Sequence, residues 1–135
     1  MADRPILLIG LDPLDPPPNA PVPPSVLQSI AEKVQGDVAR ATRNGFPCTV
    51  HYLDWRDAGA AMAALETRLE GLRGRCAAII FGRGIRMHAD PVLFEGAIEV
   101  VRKVFGWEEV KVLFNDGPDR QCATIERAFG MVMGE

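Results

Sequence analysis

The chain has 135 residues, room for one domain with its own hydrophobic core and little more. Its apolar share of 47% and charged share of 24% are those of an ordinary soluble globular protein. The formal net charge of −3, with the Lys and Arg residues scattered, argues against a nucleic-acid binder, which needs clustered positive charge to displace counterions from phosphates.

The first element in chain order is "PILLIGL", residues 5–11. Its apolar residues are continuous rather than alternating, as in a strand buried on both faces. The run is far too short for a membrane span or the apolar core of a signal peptide. "DPLDPPPNAPVPP", residues 12–24, follows as a stiff, extended loop. Its length between a strand and a helix is unusual and suggests a lid over a site; a partner-binding segment and a plain surface connection are the alternatives. Ser25 with Gln28 fits a capping box. The helix it opens carries Val26, Ile30, Val34 and Val38 on one face and ends at Asn44-Gly45. "CTVHYLDW", residues 48–55, reads as a half-exposed edge strand.

Asp57 caps a second helix with Met62, Leu65, Leu69 and Leu72 on one face. "CAAIIF", residues 76–81, is the most buried strand, and the loop "GRGIRMH" follows it. Asp90-Pro91 then supplies an N-cap and a proline at the first helical position. Phe94, Ala97, Ile98, Val101 and Phe105 face inward along the third helix, which Gly106 closes. "VKVLF", residues 110–114, is the fourth strand; "NDGPD" turns the chain into a last helix carrying Ile125, Phe129 and Val132. Four successive strand–helix units predict a three-layer α/β/α domain over 1–135 with a four-stranded parallel sheet, order 2-1-3-4.

That order puts the reversal of winding between strands one and three, where open parallel sheets hold their ligands. Gly10 and Asp12 follow strand one, "GRGIRMH" follows strand three, and Asn115 and Asp116 follow strand four. The expected site therefore holds an anionic small molecule, a carboxylate or a phosphate. Gly10, Gly82 and Gly84 allow close backbone approach, Arg83 and Arg86 supply guanidinium groups, and Asn115 orients a polar group. Asp12, His88 and Asp116 are the acid–base candidates. Each has a plainer alternative: Arg86 pairs with Asp90, Glu95 or a helix end, Arg83 is a solvated charge, His88 caps or packs, and Asp12 and Asn115 shape turns. Trp55 either walls the pocket or packs.

Other chemistries lack their motifs. Met87 stands where a dinucleotide fingerprint needs Gly or Ala; there is no P-loop and no GxSxG elbow. Asp12 and Asp54 loosely suggest a phosphoacceptor receiver, but the late-strand lysine is missing. No metal and no cofactor is expected. Cys48, Cys76 and Cys122 have no CxxC spacing and read as reduced core thiols in a cytoplasmic protein. The competing reading is an interaction module: a homodimer through the open edge of strand four or the last helix, or a proline loop docking to a partner.

"FGRGIR" (81–86), "LFE" (93–95), "VLFNDGPD" (112–119) and "ILLIGLDP" (6–13) together resemble a family of small bacterial and fungal single-domain proteins. That family carries a G-x-G-[VI]-R, L-F-E and F-N-x-x-P pattern. Gly82, Gly84, Arg86, Phe94, Glu95, Asn115 and Pro118 match it; Arg83 replaces a small residue, and Asp116-Gly117 replace Thr-Ser. The resemblance implies a Rossmann-like, flavodoxin-like α/β fold and brings no activity with it.

Overall fold

The computed structural model describes residues 3–18, 23–87 and 89–135. His88 and residues 19–22 of the proline loop lie outside them. Strands β1 (Ile6–Gly10), β2 (Cys48–Tyr52), β3 (Ala78–Phe81) and β4 (Lys111–Phe114) form one sheet in the order β2-β1-β3-β4. All three pairings are parallel, with Ile9 beside His51 on one side and beside Phe81 on the other. The fold is three-layered and flavodoxin-like, in the predicted order.

Alternation along each strand divides the core. Leu7, Ile9, Ile79 and Phe81 face helices α2 (Ala58–Glu70) and α4 (Pro91–Phe105), where Leu65, Leu69, Leu93, Ala97 and Val101 are buried. Ile6, Leu8, Ala78 and Ile80 face the other layer, helices α1 (Pro24–Arg43) and α5 (Gln121–Phe129), against Val34, Ala41, Cys122 and Ile125. The central strands β1 and β3 are buried along their whole length, which is why their sequences are unbroken apolar runs.

The caps follow the sequence in two helices and depart from it in a third. Asp57 accepts from the N–H of Ala60 at 3.0 Å, and Asp90 from the N–H of Val92 at 2.9 Å. The Ser25–Gln28 box does not form. Pro23 occupies the N-cap of α1 with no side-chain cap, because Pro24, already set at helical φ, starts the helix two residues earlier. The last helix is also shorter than its apolar pattern. Gly130 turns left-handed at φ +65° after Phe129, so Val132 is exposed and Met133 is buried in its place. Arg40 of α1 and Asn44, which caps its end, hold this tail through the carbonyls of Met133 and Gly134.

The largest departure is at 83–87. The segment read as an open loop is a short helix, α3 (Arg83–Met87), with Ile85 buried against the core. Buried Ile85 and the hydrogen bonds of the Arg83 N–H and the Arg86 side chain to residues 82 and 115 hold the segment, and a one-residue apolar signal is invisible to a periodicity argument.

Candidate functional site

A crevice opens at the carboxyl ends of β1 and β3, on the α1/α5 side of the sheet. Its volume is about 190 Å³. Leu8 forms part of its floor, and Leu27, Ile30 and Val34 of α1 form one wall. Pro13, Pro16 and Pro17 of the proline segment form another, with Pro17 buried. Gly82, Arg83, Gly84, Asn115, Gly117, Pro118 and Gln121 complete it opposite. The interior is therefore aliphatic, and the polar groups are few. Ile30, which the sequence assigns to the apolar face of α1, and Leu27 beside it are only half-buried, and both line the crevice.

The prolines are held in place from outside the crevice. Asp12 starts a turn: its Oδ1 accepts from the N–H of Leu14 at 2.9 Å, and its carbonyl from the N–H of Asp15 at 3.1 Å. Asp15 then grips Arg56 with both carboxylate oxygens, each at 2.6 Å. The indole N–H of Trp55 donates to the Asp15 carbonyl at 2.9 Å, and the Arg56 guanidinium stacks over the Trp55 ring at 4.2 Å. Trp55 is thus a latch on the strap rather than a wall of the pocket. The Arg56 side chain holds the Asp15 carboxyl below its usual value.

Across the crevice, two backbone N–H groups are already taken. The N–H of Gly82 extends the sheet to the carbonyl of Ile9 at 2.8 Å, and the N–H of Arg83 donates to Asn115 Oδ1 at 3.1 Å. A Cβ at Gly82 would stand 3.4 Å from the Ile9 carbonyl oxygen, an ordinary contact. Asn115, buried, is a structural bracket. Its amide nitrogen donates to Gln121 Oε1, and the Gln121 amide donates to the Pro118 carbonyl at 2.7 Å. The start of α3 is tied in this way to the start of α5.

The structure places the candidate residues unevenly. Gly10, Asp12, Gly82, Arg83, Gly84 and Asn115 line one crevice. Arg86 does not. It donates to the carbonyls of Asn115 and Gly82 and lies over the Phe114 ring at 5.5 Å, so it braces the end of β4. Asp116 is also outside, exposed and paired with Arg120 at 3.1 Å, which lowers its carboxyl pKa. His88 lies outside the described residues. Arg83 is exposed and has no ion pair among the described residues.

Tyr52 is a lining residue that sequence reasoning missed. It pairs in register with Gly10 at the end of β2, and burial, followed by the charge of Asp12, raises its phenol pKa. Its position on the alternating face of an edge strand was the available signal. Gln121 was missed as well, because a Gln at a helix start has no pattern that marks it as buried. Among the described residues no group of three or more His, Cys, Asp or Glu stands close enough to hold a metal ion. None of the described helices is long and apolar enough to cross a membrane.

No protein-family model matches the chain. No curated protein and no solved structure matches it significantly.

Proposed function

We propose that the crevice binds a small molecule with an apolar body and an anionic group, a carboxylate or a phosphate. The observation that carries this reading is an aliphatic cleft at the sheet's switch point with one guanidinium, Arg83, on its lining and outside any ion pair among the described residues. Its volume of about 190 Å³ is below the roughly 300–1,000 Å³ of pockets for drug-sized ligands. That favours a small metabolite over a nucleotide. Acid–base chemistry on the ligand would fall to Asp12, the acid of the candidate set on the lining. The buried free thiols Cys48, Cys76 and Cys122 suit a reducing, cytoplasmic setting. Four of the residues behind the family resemblance, Gly82, Gly84, Asn115 and Pro118, meet at this crevice, which supports treating the resemblance as one of site as well as fold.

The test is a thermal-shift screen of carboxylated and phosphorylated metabolites against wild type and Arg83→Ala. A ligand that stabilises the wild type and not the variant supports the reading. Equal shifts in both, or none in a folded protein, would sink it.

A second reading has its own observation. β4 is an edge strand with no partner on its outer side among the described residues; Phe114 at its end is 42% exposed and Trp107, which precedes it, 54%. An open edge of this kind favours a homodimer, though exposed Lys111 on the same strand works against pairing. A monomer mass in light scattering at 1 mM chain would exclude it.

A further inference from the structure

The mouth of the crevice carries one acid and one base that do not neutralise each other. Asp12 follows β1 and Arg83 follows β3. These strands are neighbours, with Ile9 beside Phe81, and neighbouring strands run about 4.8 Å apart. Both residues line the same crevice, yet no ion pair joins them.

The hydrogen-bonding inventory sharpens this. Asn115 and Gln121 are occupied with each other and with Arg83 and Pro118, so they offer a ligand little. Asp12 uses Oδ1 on Leu14, and its Oδ2 has no partner among the described residues. The Tyr52 hydroxyl has none there either, and as a phenol, neutral at pH 7, it can donate or accept. The open side chains are therefore Asp12 and Tyr52 on one side and Arg83 on the other. Apart from the mutually paired Asn115 and Gln121, the rest of the lining is largely apolar, with Leu8, Leu27, Ile30 and Pro17 prominent.

A simple fatty-acid anion suits Arg83 but brings a second negative charge to Asp12. A simple amine has the opposite defect at Arg83. Like charges brought to one site repel, and the group that a singly charged ligand leaves unmatched gains nothing from it. A ligand with both charges satisfies both groups. The volume of about 190 Å³, with water taking about 30 Å³ per molecule, suits a body of a few carbons.

Resting on the reading that this crevice is a ligand site, the geometry points to a zwitterion: an α-amino acid with a branched aliphatic side chain. Asp12 and Tyr52 hold the ammonium, Arg83 holds the carboxylate, and the α1–proline interior takes the side chain.

The test compares three probes of nearly one shape by calorimetry on the full chain: L-leucine, 4-methylpentanoate, which lacks the ammonium, and 3-methylbutylamine, which lacks the carboxylate. Leucine is expected to bind at least about tenfold tighter than either, since each of the other two lacks one charged hydrogen bond. Asp12→Asn, which keeps the Oδ1 acceptor for Leu14, should erase the advantage over 4-methylpentanoate. Arg83→Gln should erase the advantage over the amine. If 4-methylpentanoate binds as tightly as leucine and Asp12→Asn is neutral or better, the zwitterion is wrong while the anion site stands. If none of the three binds, the zwitterion is overturned, and the metabolite screen decides separately whether the anion site falls with it.

Discussion

Asp15 and Arg56, 41 residues apart, meet through two hydrogen bonds of 2.6 Å and clasp the proline strap to the loop before α2. Both side chains are about half exposed, so the pair is screened by water and adds little to global stability. Its consequence is local, since Pro16 and Pro17 stand directly beyond Asp15 and wall the crevice. Arg56→Ala is expected to speed hydrogen–deuterium exchange at Leu14 and Asp15 and leave the thermal midpoint nearly unchanged. Unaltered exchange would mean that the Asp12 turn and the prolines hold the strap unaided. The pH sign is set by the lowered Asp15 pKa. The clasp is complete above the unfolded carboxyl value of 3.8 and is lost as pH falls below it.

Asn115→Ala should be costly for the fold. It leaves the Arg83 N–H and the buried Gln121 side chain each short of a partner, at about 1–3 kcal/mol per unsatisfied group. Urea unfolding measures the loss. Adding Gln121→Met, which removes one of the orphaned groups, should recover part of it; strictly additive losses would show that the two amides do not act as a bracket.

Gly96 marks the close approach of α4 to α2. A Cβ there would stand 2.9 Å from Met62 Sδ. Gly96→Ala asks a flexible thioether to move while the helix gains about 1 kcal/mol of propensity, so its net effect should be small. Gly96→Leu cannot be absorbed this way and should cost about 1–3 kcal/mol by overpacking. Equal stability of the two variants would show that the interface has room to spare.

Burial pushes the thiols of Cys48 and Cys122 up to about 12, with the charge of nearby Asp37 adding to the effect at both. Asp37 is fixed there because it accepts from the N–H of Cys122 at 2.9 Å, in place of a local cap for α5. A raised thiol pKa stabilises the fold fully below the unfolded value of 9.0, and the contribution is lost as pH climbs from there towards about 12. Stability should therefore fall more steeply between pH 9 and about 11 in wild type than in Cys48→Ala/Cys122→Ala. Parallel slopes would remove the thiols from the account. At neutral pH both should resist thiol reagents until the protein unfolds.

The strand order was legible because each strand declares its burial. Continuous apolar runs at 6–9 and 78–81 require cover on both faces, and the mixed "CTVHY" requires an edge. Asp57 and Asp90-Pro91 were legible because capping is a local transaction between neighbouring residues. The crevice's position followed from strand order alone, and six of the nine candidate residues line it. The role of Arg86 did not follow. Glycine and arginine in one loop look alike whether the guanidinium faces a ligand or two backbone carbonyls, and only the return of residue 115 beside residue 86 separates the cases.

Alternation, apolar runs and caps act over a few residues, so composition and spacing were enough to specify a parallel sheet, its order and the end of the sheet where a ligand can sit. The aliphatic character of the crevice depends on contacts that join distant parts of the chain. Leu27 and Ile30 become a wall because α1 stands off the sheet at its start, and Asp15 seals the other side through Arg56. The pairing of Asn115 with Gln121 and the approach of Tyr52 to Asp12 are of the same kind. Such contacts form only after the chain has folded back on itself, and their energies depend on distances that no local pattern encodes.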